Sequence, residues 1–477
     1  MSWLLTCHRL YAADPRLRTT RGLAAALTVA GERPIAHTTV TRWERACTRM
    51  PAHVLRRFEQ LMGLPTGQLS TMVTQLWGDG PHGKSVVRPE LLDKCFGGDV
   101  VAATEWADLV GALGQGRHVL TSSGWYDLAY RLLSEMSVSI GWRYLSRLSS
   151  LRTLQAHSEG GRAVLAAVET FVGDPGCQVI IDPIALLADS TQDAAQRFLR
   201  KVTLSPRNES ELCGALMAWA ARPPADDWSC ARLAAVTMSW LRDLTVSANV
   251  HEAAADLLMS LPASAWCARF RRPTVRHRLR HAAFDDGPLV GRLLRTLTHA
   301  QTGRHVEDAI GPRMLRQALF STDADARVTS VNVLHASPFR DVVADAVAGL
   351  VAGPPTADVA TTVALVDLLG GVGRERHRPV LETLLCHGAT AAAASIALAH
   401  LPGSTGADTW RRAVAAHLQD RCHGETVGRA VLYASGMNGD RASLAQICAN
   451  PASAPDTVRR TDWWLRLPAT VMTSGRS

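Results

Sequence analysis

A chain of 477 residues, 47% hydrophobic and 20% charged, has an ordinary globular composition, which excludes a protein too small to bury a core. The formal net charge is +8, and the first 80 residues hold ten arginines against five acids, so positive charge is concentrated where a polyanion is the fitting partner. Ten cysteines without CxxC or zinc spacing, no apolar run near 18 residues and no signal-peptide pattern at Met1 to Leu10 give the expectation of a reduced, cytoplasmic protein with no membrane span.

In chain order, Ser2 to Ala12 reads as a first helix, with Leu4, Leu5, His8 and Tyr11 on one side, ending before Asp14-Pro15. Thr19 or Thr20 caps a second helix whose stripe is Leu23, Ala26, Leu27 and Ala30, and Gly31 ends it. His37 or Thr38 then caps a third helix running to about Thr48. At 100° per residue, Val40, Trp43 and Cys47 share its packed face, while Thr38, Arg42, Arg45 and Arg49 fall opposite. Pro51 suits the first turn of a fourth helix with apolar Val54, Leu55, Phe58, Leu61 and Met62, and Gly63-Leu64-Pro65 stops it. Leu69, Met72, Val73 and Leu76 with Trp77 mark a fifth.

The run TTVTRWER, then Pro51, then VLRRFEQLMGLP resembles the recognition helix and following helix of the Cro/repressor-like (XRE) helix-turn-helix family. The resemblance covers roughly the first 75 residues. It departs from the family in two places: Ala46 stands where glycine is usual, and the GERPIAH segment lengthens the turn between Leu27 and Val40. The resemblance implies binding to double-stranded operator DNA, with Thr38, Thr39, Thr41, Arg42 and Arg45 at or near base edges in the major groove, and Arg21, Arg33 and Arg49 on phosphates. It also implies a homodimer, because operators for such modules are commonly two-fold.

Gly78 to Val87 reads as a linker within 78–88, and residues 89–157 as a helical connector after an N-terminal domain of residues 1–77. From 158 to 470, apolar helices of some 10 to 15 residues alternate with short breaks, such as Ser321 to Asp325, Pro354-Pro355 and Gly370-Gly371. The DADARVTSVNVL stretch resembles the second helix of a HEAT repeat. Such pairs are too small to bury a core alone and solve the problem by stacking. The expected fold is all-α: a helix-turn-helix domain, a connector and an α-solenoid of HEAT-like helix pairs. Asp462-Trp463-Trp464 is expected to cap its final pair.

A second basic patch, Arg272, Arg276 and Arg280 within WCARFRRPTVRHRLRH, is either an exposed repeat surface or a second contact with an anion. Signals for enzymes are poor. There is no Walker lysine motif, no GxGxxG after a strand and no nucleophile elbow, and His277 and His281 lack a carboxylate suited to a metal. No catalytic residue, metal or cofactor is expected. The expected function is a sequence-specific transcriptional regulator whose repeats mediate oligomerisation, protein-partner binding or signal sensing. The alternatives are a HEAT-type scaffold and a base-excising nucleic-acid enzyme.

Overall fold

The computed structural model describes residues 1–31, 33–77, 88–114, 120–262, 288–303, 309–321, 323–353, 359–417, 424–450 and 453–476. The expected linker, Gly78 to Val87, and the basic patch Arg272, Arg276 and Arg280 lie outside them. Among the described residues the chain is all-helical with no strand, and no helix is long and apolar enough to cross a membrane. The chain clusters into two compact units, one of residues 1–80, 140–145 and 282–465, the other of residues 81–139, 146–281 and 466–477.

The first unit opens with five helices: α1 (Ser2–Leu10), α2 (Thr20–Leu27), α3 (His37–Glu44), α4 (Ala52–Leu61) and α5 (Gln68–Trp77). Thr19 caps α2 by accepting from the Gly22 N–H at 3.0 Å. The helix ends at Leu27, four residues before the expected stop at Gly31. Glu59 of α4 is fully buried and performs the capping role for α5, accepting from the N–H groups of Gly67, Leu69 and Ser70 at 2.6 to 2.9 Å. Burial pushes its carboxyl up, against the pull of those donors.

Helix α1 is held by helices far along the chain. Its His8 ring donates from Nε2 to the Ala336 carbonyl at 2.7 Å, the Tyr11 hydroxyl donates to the Ala300 carbonyl, and Trp3 and Tyr11 lie against Phe339 at 5.9 and 4.9 Å. From there, alternate helices stack in sequence: Ala324–Ala336 on Val359–Val372, that on Gly388–His400, and that on Gly424–Met437. Small residues make the approach close. A Cβ on Gly370 would lie 2.9 Å from the Ala397 backbone, and one on Gly371 would lie 2.1 Å from Val331. These two glycines therefore sit inside one helix as packing residues, where a break was expected. Val328, on the Ala324–Ala336 helix, is 56% exposed.

The second unit repeats the alternation, with Ser122–Ser137 on Ser158–Gly173, then Ile181–Leu186, Glu209–Ala221 and Ala248–Ser260. Its first helices are joined by an ionic cluster around the fully buried Glu135. The Glu135 carboxylate accepts from Trp106 Nε1 at 2.7 Å, from Arg131 at 3.1 Å and from Arg147 at 3.2 Å. Arg147, itself fully buried, also donates to the Ser474 carbonyl, and the Ser474 hydroxyl accepts from Val101 N–H at 3.0 Å. Ser474 belongs to a further helix, Ala469–Arg476, beyond the tryptophan pair expected to cap the final helix pair. Trp463 and Trp464 are buried in the first unit, where Trp464 lies over Gly436.

Two outcomes follow from these interiors. Glu135→Ala leaves two guanidinium groups without their carboxylate, one of them fully buried, and is expected to cost about 3–5 kcal/mol by urea unfolding. His335 and His400 are pushed down to about 4 and His8 is lowered, all mainly by burial. Each folded pKa lies below the unfolded value of about 6.5. The stability they contribute is complete above pH 6.5 and is lost as pH falls from there toward 4. The urea midpoint at pH 5 should fall below that at pH 7.5, and His400→Leu should flatten the dependence.

Candidate nucleic-acid interface

Helix α3 begins after Ala36, which offers no side-chain cap in place of the expected His37 or Thr38. It stops at Glu44, short of the expected Thr48. Arg45 is the C-terminal residue and Ala46 turns left-handed at φ +56°, the only residue besides glycines to do so among those described. The Cys47 N–H closes on the Arg42 carbonyl at 2.9 Å and the Ala46 N–H on Trp43 at 3.1 Å, the pairing that ends a helix when the following residue is left-handed. Gly63 ends α4 by the same geometry at φ +65°. The helix end thus falls at the position where glycine had been expected and alanine stands.

The consequence for the expected site is a division. Thr38, Thr39, Thr41 and Arg42 are on α3, whereas Arg45 is at its end and Arg49 lies in the following turn. Cys47, expected to pack, is exposed. Val40 and Trp43 are the buried side, at 1% and 6% exposure, and α2 packs on them with Leu23 and Leu27. Thr38 and Arg42 are exposed on the opposite side, Thr39 and Thr41 are half-buried, and the Thr41 hydroxyl donates to the His37 carbonyl at 3.2 Å. Arg21 is exposed in the first turn of α2 and Arg33 is exposed between α2 and α3.

The lengthened segment between those helices is pinned at both ends. Thr28 Oγ1 donates to the Ala24 carbonyl at 2.9 Å and accepts from the Ile35 N–H at 3.0 Å. Arg57 of α4 donates to the Leu27 carbonyl at 3.1 Å, fixing the same corner from the other side. Exposed His53 and Arg56 of α4 join the accessible basic residues. Their only mark in the sequence is their place opposite the Val54, Leu55, Phe58 stripe. Leu61, expected in that stripe, is 37% exposed.

The three carboxylates described in these helices are all engaged. Asp14 pairs with Arg16 at 2.8 Å, Glu59 caps α5, and Glu44 meets Arg9 of α1 through two contacts of 2.6 and 3.0 Å. The Arg9 and Glu44 side chains are about one-tenth exposed, so the one acid of α3 is drawn inward. Among the described residues of the chain, no group of three or more His, Cys, Asp or Glu is placed to hold a metal ion. No family model, curated protein or solved structure matches the chain.

A left-handed residue with a Cβ costs about 1–2 kcal/mol, less the entropy that glycine brings. Ala46→Gly is therefore expected to stabilise by roughly 0.5–1 kcal/mol, read as a raised urea midpoint.

Proposed function

We propose that the chain is a sequence-specific DNA-binding transcriptional regulator, in which α1–α5 act as a Cro/repressor-like helix-turn-helix module and α3 enters the major groove. The observation that carries the reading is the two-sided character of α3. Val40 and Trp43 are buried, Thr38 and Arg42 face solvent, and Glu44 is withdrawn into its pair with Arg9. A phosphate-lined groove thus meets donors that no carboxylate among the described residues of α1–α5 is drawn towards. Arg42 is suited to bidentate contact with guanine O6 and N7, and Thr38, Thr39 and Thr41 to either donors or acceptors on neighbouring bases. Arg21, Arg33, Arg45 and Arg49 serve phosphates and set register. At Arg21 the positive end of the α2 dipole adds to the attraction for an anion.

The remaining helices are read as HEAT-like pairs forming an α-solenoid. The stacking of alternate helices, with small residues at their contacts, supports that reading. Their role is to hold a second copy, a protein partner or a signal. A two-fold operator would call for a homodimer.

Selection of bound sites from random duplex, followed by titration, tests the reading. Arg42→Ala should lose about 1–3 kcal/mol of discrimination at one base position, while Arg21→Ala should weaken all duplexes alike and lower the salt slope by about 1. Unchanged preference and affinity in Arg42→Ala would remove α3 from the groove.

A further inference from the structure

We propose that the Pro288–Thr302 and Ile310–Phe320 helices carry a second contact for duplex DNA, on backbone phosphates beside the stretch reached by α3. The proposal rests on the DNA-binding reading above. Neither helix contains an aspartate or a glutamate, and Arg292, Arg295, His299 and Arg313 are exposed on them. Arg292, Arg295 and His299 are spaced i, i+3 and i+7, which places them within an arc of about 60° and along a rise of about 10 Å. The opposite side of the same helix is its packed side, with Val290, Leu293, Leu297 and Gln301 each 3% exposed or less. The arc of Arg292, Arg295 and His299 holds no apolar side chain, and the one large hydrophobic exposed on the described residues of the two helices is Ile310, at the start of the second. What the arc offers is guanidinium groups, whose planar donors match phosphate oxygens.

The placement of this face relative to α3 is fixed by contacts in series. Glu44 of α3 is paired with Arg9 of α1, and the Tyr11 hydroxyl, just past the end of α1, donates to Ala300 beside His299. His8 and the edge-on ring of Tyr11 fasten α1 to Ala336 and Phe339 of the adjoining helices. The residues from α3 to Ala300 are thereby joined within one compact unit, so the second face keeps a constant spacing from α3. Binding to a rigid pair of phosphate contacts adds electrostatic attraction without ordering a linker.

The experiment compares the full chain with Arg292→Gln/Arg295→Gln/Arg313→Gln on mixed-sequence duplexes of 12 and 40 base pairs (about one and four turns), titrated across salt. Each phosphate contact adds about 0.9 to the slope of log K against log salt. The intact chain should show a slope steeper by about 2–3 on the longer duplex, and the triple variant should lose that difference while matching the intact chain on the shorter one. Equal slopes for the two proteins on the longer duplex overturn the second contact and leave the α3 reading standing. No binding of either duplex by the intact chain overturns both. A loss of binding to polyglutamate with DNA binding unchanged overturns it in favour of an acidic protein. The unfolding midpoint of the variant, with substitutions confined to exposed side chains, should equal that of the intact chain, and Arg292→Glu/Arg295→Glu should deepen the effect on the longer duplex.

Discussion

The Arg9–Glu44 pair is the contact on which the amino-terminal helices depend. It is nearly buried and made through two hydrogen bonds, so each partner fixes the orientation of the other. Its geometry does two things at once. It ties α1 to the end of α3, and it takes the sole carboxylate of α3 out of the field that its arginine presents to solvent. The electrostatic character of the exposed side and the packing of the buried side are thus set by one interaction, supported by Trp43 from within.

The two units solve the problem of joining helices by different means. In the first, glycine and alanine let helices approach until side chains and backbone touch, as at Gly370 and Ala397, so that dispersion acts over a close seam. In the second, a similar seam between Gly214 and Ile184 is joined to the Glu135 cluster, where two arginines and a tryptophan converge on one carboxylate. A fully satisfied charge cluster fixes which groups must meet, whereas an alanine seam constrains little beyond distance. The ionic cluster gives the second unit a unique alignment of its first helices with its last.

Much of the helical content was legible because local signals suffice for it. Thr19, Pro51 and Gly63 each mark a helix end by their own backbone or side-chain chemistry, and the burial of Val40, Trp43, Val54 and Phe58 follows from a period of 3.6 residues. The errors came where tertiary contact overrides the local signal. Gly370-Gly371 looks like a break until Ala397 and Val331 are seen to need its missing side chains. The end of α3 is displaced from Thr48 because Ala46 accepts a left-handed turn that its composition does not advertise. The basic side was legible at Arg42 and Arg21, but the clearing of Glu44 requires Arg9, 35 residues away. Nothing in the periodicity of Ser2 to Leu10 announces that its partners lie near residues 300 and 336.

The acceptor that completes the Arg147 environment in the last helix is 327 residues downstream. At ribosomal rates of about 5–20 residues per second, roughly 15–65 seconds separate the emergence of donor and acceptor. During that interval Arg147 has its carboxylate, Glu135, but neither it nor the Val101 amide has its acceptor on Ser474. The polar interior of the second unit is thereby closed only after the Ala469–Arg476 helix has emerged.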